Sequence, residues 1–243
     1  MDRLEGTALV TGGSRGIGRA ICVRLAKDGA RVVLHYHRNR AAAEETAAAI
    51  GPGVRLVQAN LGTVDGVEGM FRELGALRLD YLVNNAGIWK GTPIGATPGA
   101  VVDEIIDTNL KGPFWVTQCA LPLLNEGARI VNVSSVAGRI GVVGGRSLYG
   151  ATKAALDALT RNWALELAPR KILVNAVAPG YVITDMTADY FADPEKLAGA
   201  LRRHPLGRIA EAEDVADVVA FLCSNDARFV TGQSINVSGG SVI

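Results

Sequence analysis

Short apolar segments rich in β-branched residues alternate with alanine-rich helical segments along the whole chain. This alternation predicts parallel strands joined by helices that cover both faces of one sheet. The strand candidates are Thr7–Thr11, Arg31–Tyr36, Val54–Ala59, Tyr81–Asn85, Arg129–Ser134, Ile172–Ala178 and Ser234–Val237. The helix candidates are Gly16–Lys27, Ala41–Ile50, Val64–Leu74, Asn109–Leu124, Leu148–Leu167 and Asp214–Ser224.

The second strand candidate begins with a nearly continuous apolar run, Arg31–Leu34, which is typical of a strand covered on both faces. No internal repeat, low-complexity tract or linker interrupts the 243 residues, a length that single α/β domains commonly reach. We therefore expect residues 1–243 to form one domain. Its fold is predicted to be a doubly wound Rossmann fold, a seven-stranded parallel sheet flanked by helices.

Charge, hydropathy and cysteine content exclude several classes of protein. The formal net charge is +1 and no long run of like charge occurs, so no nucleic-acid-binding surface is predicted. The first residues lack the pattern of a signal peptide, and no segment approaches the roughly 20 apolar residues that a membrane span requires. The three cysteines are too dispersed for a disulfide framework or a metal site. We expect a cytoplasmic protein without a bound metal.

A glycine-rich turn follows the first strand candidate, in the segment Thr11–Gly18. Its three glycines in Gly-x₃-Gly-x-Gly spacing, Gly12, Gly16 and Gly18, allow a sharp turn and the close approach of a phosphate to the amides of a helix N-terminus. The spacing departs from the common Gly-x-Gly-x-x-Gly fingerprint. The turn therefore predicts a dinucleotide site, and a tight turn without a ligand is the alternative.

The same residues also satisfy the pattern of a serine hydrolase, because Gly12–Gly16 reads Gly-x-Ser-x-Gly with Ser14 as the nucleophile. Such an enzyme needs an acidic residue and then a histidine later in the chain. Only His204 lies at a distance downstream. A nucleophile on the first strand is also unusually early for that fold, so hydrolysis is kept as a remote alternative.

The end of the second strand indicates which nucleotide the turn binds. NAD sites usually place an acidic residue there, against the ribose 2′-hydroxyl. Here the segment is His35–Arg40 and contains no acid. Arg38 and Arg15 can pair with a 2′-phosphate through charge-assisted hydrogen bonds. We therefore predict NADP(H), with a merely solvated basic loop as the alternative.

An ordered set of motifs resembles the short-chain dehydrogenase/reductase family. The set comprises Thr11-Gly12-x₃-Gly16-x-Gly18, Asn84-Asn85-Ala86-Gly87, Asn109, Ser134-Ser135, Tyr149-x₃-Lys153, Pro179-Gly180 and Thr231-Gly232-Gln233. Within the family the chain is most similar to the 3-oxoacyl-[acyl-carrier-protein] reductases. Two segments of its C-terminal third carry that similarity, Pro179–Met186 and Pro205–Ser224.

The resemblance implies the residues that hold the cofactor and the segment that covers the substrate. Thr184 is expected to hydrogen-bond the nicotinamide carboxamide, and Asn60 stands where the family usually has an aspartate against the adenine. Residues 185–205 are expected to form a substrate lid. The predicted cofactor-binding residues are Gly12, Ser14, Arg15, Gly16, Ile17, Gly18, His37, Arg38, Asn60, Leu61, Asn85, Ala86, Gly87, Tyr149, Lys153, Pro179, Gly180, Val182 and Thr184.

Tyr149 and Lys153 are four residues apart, so one helix face presents both side chains. Ketone reduction needs a proton for the oxygen, and a free tyrosine, with a pKa near 10, is poorly tuned for that transfer. An ammonium about 5 Å away favours the phenolate by roughly 3 kcal/mol at an effective dielectric of about 20. We therefore expect Lys153 to lower the pKa of Tyr149.

Two further catalytic residues are implied by the resemblance. Ser135 resembles the family serine that hydrogen-bonds the substrate carbonyl, and it precedes Tyr149 by fourteen residues where thirteen is common. Ser147 is an outside candidate for that role. Asn109 resembles the family asparagine that holds a water and links Lys153 to solvent.

These expectations combine into a function, the NADPH-dependent reduction of a ketone to its alcohol. The resemblance implies a 3-oxoacyl thioester of acyl carrier protein or CoA as substrate, and a homotetrameric assembly. Arg129 and Arg170 are the candidates for contact with an acidic carrier, which Glu126 opposes. The alternatives are a ketoreductase of polyketide or other secondary metabolism, a small-alcohol dehydrogenase, and an inactive nucleotide-binding regulator.

Overall fold

The structure, a computed structural model, describes residues 3–242. All seven strands form one parallel sheet in the order β3-β2-β1-β4-β5-β6-β7. The strands are β1 (Thr7–Val10), β2 (Arg31–Tyr36), β3 (Arg55–Gln58), β4 (Leu79–Asn84), β5 (Leu124–Val133), β6 (Leu173–Pro179) and β7 (Ser234–Val237). The predicted α/β fold with a seven-stranded parallel sheet is confirmed.

Helices cover both faces of this sheet. They are α1 (Gly16–Lys27), α2 (Arg40–Ile50), α3 (Val64–Leu74), α4 (Gly99–Ile106), α5 (Gly112–Ala120), α6 (Ser147–Glu166), α7 (Ala188–Phe191), α8 (Pro194–Leu201) and α9 (Ala212–Cys223). A five-residue π-helical turn, Asp107–Lys111, joins α4 to α5. No helix within residues 3–242 is both long enough and apolar enough to cross a membrane.

Two hydrophobic cores lie on opposite faces of the sheet. One packs buried side chains of α1, α2 and α9 against the sheet, and the other packs those of α3, α5 and α6. Successive residues of β1 serve both, because Val10 belongs to the first core and Leu9 to the second. Burial on both faces explains why the strands read as continuous apolar runs rather than as alternating patterns.

The strand order reverses between β1 and β4, which places the carboxyl ends of these strands beside a crevice. Open α/β sheets bind their ligands at such a reversal, outside the carboxyl ends of the strands. The fold therefore brings together the glycine-rich turn after β1, the segment after β4 and the segments after β5 and β6.

The predicted helix Asn109–Leu124 is wrong at both ends. Helical structure begins ten residues earlier, at Gly99, and Asn109 lies in the π-helical turn. Pro113 has no amide hydrogen to donate to the carbonyl of Asn109, and here Gly112 donates to Asp107 five residues back. At the other end α5 stops at Ala120, and Leu124 already pairs with Leu79 in the sheet.

Candidate active site

A cleft of about 810 Å³ opens at the carboxyl ends of β1, β4, β5 and β6. It is lined by nearly every residue that the sequence predicted for the site. These residues are Gly12, Ser14, Arg15, Gly16, Ile17, Gly18, His37, Arg38, Asn60, Leu61, Asn85, Ala86, Gly87, Ser135, Tyr149, Lys153, Pro179, Gly180, Val182 and Thr184. Asn109 is the exception, since it lies buried behind Gly87.

The glycine-rich turn is shaped by contacts that a side chain would prevent. Gly12 has a φ of +66° and Gly16 a φ of +51°, the left-handed region that favours glycine. A Cβ on Gly18 would lie 2.0 Å from the carbonyl oxygen of Gly12. The turn is therefore folded back on the start of α1 so closely that bare backbone faces the cleft.

His35 hydrogen-bonds to this turn, and no motif in the sequence indicated that role for His35. Its Nδ1 accepts the amide hydrogen of Gly12 at 3.1 Å, and its Nε2 lies 3.1 Å from the carbonyl oxygen of Ala59. The side chain is 2% exposed, and burial lowers its pKa to about 4. The neutral ring, with its hydrogen on Nε2, satisfies both contacts and ties the turn to the end of β3.

The segment after β4 braces the turn from the other side. The side-chain amide of Asn85 donates to the carbonyl oxygens of Thr11 and Gly12, at 2.9 and 3.1 Å. The hydroxyl oxygen of Thr11 accepts the amide hydrogens of Asn85 and Ala86. These contacts fix the segment after β4 to the glycine-rich turn.

The outer corner of the cleft is basic. His37 and Arg38 lie beyond β2, where no carboxylate occupies the strand end, and both line the cleft. Arg15 also lines the cleft and approaches Asp185 at 4.0 Å, with both side chains about two-thirds exposed. No motif in the sequence indicated Asp185 as the partner of Arg15. This corner fits a phosphate on the 2′-position of a nucleotide.

The hydrolase alternative loses support from the same geometry. Within residues 3–242 no histidine hydrogen-bonds to the hydroxyl of Ser14. His204 is buried, with its Nδ1 2.7 Å from the carbonyl oxygen of Ala200. A serine nucleophile needs a base within hydrogen-bonding distance, and neither His35 nor His204 is placed to serve.

Ser135, Tyr149 and Lys153 meet at the inner end of the cleft. Ser135 and Tyr149 both line this end of the cleft, and the Ser135 side chain acts to lower the pKa of Tyr149. The ammonium nitrogen of Lys153 lies 5.7 Å from the centre of the Tyr149 ring and donates to the carbonyl oxygen of Val133 at 2.8 Å. The neighbouring Ser134 donates its hydroxyl to the backbone of Lys153 instead. Ser135, not Ser134, is therefore the serine beside Tyr149.

The predicted direction of the Tyr149 pKa is wrong for the protein in this state. Burial raises that pKa, against opposing contributions from the Ser135 hydrogen bond and the charge of Arg146. Burial also lowers the pKa of Lys153 to about 8, with Asp157 acting in the opposite direction. Burial disfavours the charged form of each group, and sequence spacing carries no information about burial.

Asn109 braces the backbone on the far side of Gly87. Its side-chain oxygen accepts the amide hydrogen of Ile88 and its side-chain nitrogen donates to the carbonyl of Ile88, both at 2.8 Å. A Cβ on Gly87 would lie 3.4 Å from the Asn109 oxygen and 3.6 Å from the Lys153 nitrogen. The π-helical turn and α6 thus bring Asn109 and Lys153 close to the same glycine.

Comparison with known proteins agrees with this geometry. A family model described as enoyl-(acyl carrier protein) reductase matches residues 12–241, most of the chain. The chain belongs to the short-chain dehydrogenase/reductase family. The resemblance inferred from its ordered motifs is confirmed.

This short-chain dehydrogenase/reductase is 42% identical over 245 residues to the 3-oxoacyl-[acyl-carrier-protein] reductase FabG of Staphylococcus aureus, with 98% of both chains covered. LugOII, a promiscuous reductase that catalyses keto-reduction at C1 in lugdunomycin biosynthesis, is 40% identical. It superimposes with a TM-score of 0.91 over 99% of both chains. The angucycline C-6 ketoreductase LanV with bound NADP is also 40% identical, with a TM-score of 0.90 over 99% of this chain and 97% of LanV.

The two arginines predicted to contact a carrier protein hydrogen-bond to backbone carbonyls in this short-chain dehydrogenase/reductase. Arg170 donates to the carbonyl oxygens of Leu121 and Leu124. Arg129 is partly buried and donates to the backbone at Gly127. Both guanidinium groups therefore hydrogen-bond to the chain's own backbone, and these contacts give no support to their role as a carrier contact.

Proposed function

We propose that this protein reduces a ketone to its alcohol with NADPH, using Ser135, Tyr149 and Lys153. The observation that carries the proposal is the placement of Ser135, Tyr149 and Lys153 together at the inner end of a cleft whose outer corner is basic. Two hydroxyl groups side by side can both reach one carbonyl oxygen. NADP bound to the similar ketoreductase LanV supports the choice of cofactor.

The cleft fits NADPH along its whole length. Gly12, Gly16 and Gly18 would admit the pyrophosphate to the N-terminus of α1, and Arg15 and Arg38 would pair with the 2′-phosphate. The nicotinamide end would lie near Gly180 and Thr184. NADPH, when bound, supplies the hydride that the protein's own side chains lack.

Each catalytic side chain has a role that follows from its surroundings. Tyr149 stays protonated at neutral pH because burial raises its pKa, so it can give its proton to the ketone oxygen. Ser135 donates a second hydrogen bond to the same oxygen as negative charge develops there. Lys153, beside the carbonyl of Val133, would hold ribose hydroxyls and return a proton to Tyr149. Asn109 would hold the water that links Lys153 to solvent.

Two substrate classes remain candidates. A 3-oxoacyl thioester of acyl carrier protein or CoA is supported by the FabG relative, which covers nearly the whole chain. A polycyclic or other polyketide ketone is supported by LugOII and LanV, and by aromatic side chains beside the cleft. Tyr181 and Tyr190 stack with ring centres 5.3 Å apart, and Tyr190 belongs to the lid that we assign to residues 185–205.

Assembly as a cytoplasmic homotetramer is part of the proposal. Exposed apolar side chains, among them Leu165 on α6 and the fully exposed Phe229 before β7, are surfaces that a second copy would cover. Sedimentation velocity tests this point. A monomer at micromolar concentration would contradict it without affecting the proposed chemistry.

The proposed reaction is tested by following NADPH oxidation with a panel of 3-oxoacyl thioesters, free or on acyl carrier protein, and with aromatic polyketide-type ketones. Turnover of thioesters supports the first class, and turnover of aromatic ketones alone supports the second. Absence of turnover across both groups, with NADPH bound, would overturn the proposed function.

A further inference from the structure

Three aromatic rings surround the guanidinium group of Arg146, the residue directly before α6. The central carbon of the guanidinium lies 5.6 Å from the ring centre of Trp89, 5.8 Å from that of Tyr181 and 5.3 Å from that of Tyr190. These distances fall within the range of cation–π attraction. We call Trp89, Tyr181 and Tyr190 the aromatic cage.

The aromatic cage is assembled from segments that are far apart in the sequence. Trp89 follows β4, Tyr181 follows β6, and Tyr190 lies on α7 of the lid. The loop before Arg146 is fixed to the segment after Trp89, because Thr92 donates its amide and its hydroxyl to the carbonyl of Gly145 at 2.7 and 2.9 Å. The cage is thus held together by contacts between elements rather than by one loop.

The charge of Arg146 has no carboxylate partner in the part of the chain that the structure describes. Within those residues the Arg146 guanidinium forms one hydrogen bond, to the hydroxyl oxygen of Tyr181 at 3.3 Å. Arg139, in the same loop, forms an ion pair with Asp157 and hydrogen bonds to Asn236. A guanidinium carries five donor hydrogens, so most of those on Arg146 remain available for another acceptor.

Arg146 lies close to the reacting group. It precedes Tyr149 by three residues, and residues at this spacing at the start of a helix are neighbours, with Cβ atoms about 5–6 Å apart. The charge of Arg146 acts on the Tyr149 hydroxyl, where it favours the ionised form. Tyr181 stands between Gly180 and Val182, which both line the cleft. A group held by Arg146 would therefore belong to a molecule whose ketone reaches Tyr149.

We infer that Arg146 and the aromatic cage form a substrate subsite for an anionic group, a carboxylate or a phosphate, carried by the ketone. A guanidinium matches the two oxygens of such a group with paired hydrogen bonds, and the rings restrict its orientation. The inference rests on the proposed function, because Tyr181 adjoins two residues that line the same cleft. It deepens that proposal by predicting that the enzyme selects charged ketones over neutral ones.

The first test compares keto acids with their methyl esters, using 3-benzoylpropionate and 4-benzoylbutyrate with NADPH and the full-length enzyme. We expect the KM of at least one acid to be lower than that of its ester by about 10–100-fold, the effect of a hydrogen bond to a charged group. Dissociation constants of acid and ester, measured on the enzyme with NADP bound, give the same comparison without turnover.

Variants assign the preference to Arg146. Arg146→Gln should remove most of the preference by raising the KM of the acid much more than the KM of its ester. Arg146→Lys keeps the charge and should retain part of the preference. Arg31→Gln is the matched control, because Arg31 is exposed at the amino end of β2, opposite the cleft, and should behave as the wild type.

The second test separates a phosphate from a carboxylate. 3-Oxobutanoyl-CoA carries phosphates, and the 3-oxobutanoyl thioester of N-acetylcysteamine carries none. A loss in Arg146→Gln that is confined to the CoA thioester assigns the anion to a phosphate, and a loss confined to the keto acids assigns it to a carboxylate. Equal behaviour of charged and neutral partners in both pairs, in turnover and in binding, overturns the inference.

The outcomes also separate this inference from the proposed function. Reduction of neutral ketones without any preference for charge would leave the proposed function intact and remove the subsite. Arg146-dependent binding of the acids without reduction of any ketone would keep the subsite and remove the proposed function.

Discussion

The two ends of the cleft are built in different ways. At the cofactor end, backbone atoms form much of the surface, and the buried His35 and the half-buried Asn85 hold them through hydrogen bonds. At the substrate end, Asp185, Met186 and Thr187 line the cleft, and the nearby charge of Arg146 has no carboxylate partner within residues 3–242. The backbone sets the shape of the cofactor end, whereas side chains that substitutions can change set the shape of the substrate end.

This difference matches the ligands of the two ends: the cofactor is the same in every reaction, whereas the substrate differs. A dinucleotide presents the same pyrophosphate and ribose in every reaction, so a fixed backbone suits it. A ketone substrate varies, and side chains are the parts of a protein that vary without a change of fold. Substitutions at the cofactor end should therefore affect all substrates alike. Those at the substrate end should discriminate among substrates.

The largest effect at the cofactor end is expected from Gly18→Ala. The added Cβ would lie 2.0 Å from the carbonyl oxygen of Gly12, so the turn must move. We expect NADPH binding to be lost in a fluorescence titration and the thermal unfolding temperature to fall. Gly69→Ala is the matched control, since a Cβ there meets only the end of the Arg72 side chain at 3.6 Å. Unchanged NADPH affinity in Gly18→Ala would contradict the closed shape of the turn.

A change of cofactor selectivity is expected from Arg38→Asp. The carboxylate removes a charge-assisted hydrogen bond to the 2′-phosphate and repels that group, so the ratio of kcat/KM for NADPH to that for NADH should fall by about 10–100-fold. Arg31→Asp makes the same charge change at the opposite edge of the sheet and should leave the ratio unaltered. A ratio that is the same in both variants would show that Arg38 does not select the cofactor.

His35 predicts a dependence of stability on pH. Its pKa is about 4 in the folded chain, below the ordinary value of 6.5, so the unfolded chain binds the proton more readily between these values. The contribution of His35 to the free energy of unfolding is fully present above about pH 6.5, and it is lost as the pH falls toward 4. Between pH 7 and pH 5 the free energy of unfolding should lose roughly 2 kcal/mol through His35.

Urea unfolding of the wild type and of His35→Gln at the two pH values measures this contribution. Glutamine does not titrate, so the variant should lose roughly 2 kcal/mol less than the wild type over that interval. The same loss in both proteins would mean that His35 is not the titrating group.

The smallest effect is expected at the substrate end, from Trp89→Ala. The ring contributes one of three cation–π contacts to Arg146, a contact worth about 1 kcal/mol, so kcat/KM for the preferred ketone should fall by about fivefold. NADPH affinity should not change. Trp89→Tyr keeps a ring and should stay near the wild-type value. A loss of NADPH affinity in Trp89→Ala would contradict the proposal that the two ends act independently.

The cofactor end was largely predictable from the sequence, because its requirements are local. Glycine is needed where the backbone turns and where a phosphate approaches, and the spacing of Gly12, Gly16 and Gly18 records that need. The ordered motifs also located Ser135, Tyr149 and Lys153. His35 escaped notice because a histidine at the end of a buried strand has no pattern that distinguishes it from its neighbours.

The substrate end was not predictable, because its contacts are long-range. The aromatic cage joins residues 89, 146, 181 and 190, and no spacing within one segment records their proximity. The direction of the Tyr149 pKa failed for a related reason, since spacing gave the distance to Lys153 but not the burial of either group. Helix α4 was missed because it is only eight residues long and continues through a π-helical turn.

The central claim is that Tyr149 gives the proton while the cofactor end binds NADPH independently. The most direct test is Tyr149→Phe, which removes one oxygen and leaves the ring. NADPH affinity should stay within about twofold of the wild type, and kcat for the best ketone should fall by about 10²–10⁴-fold, the usual contribution of a general acid. A variant that retains a tenth or more of the wild-type kcat would contradict the account.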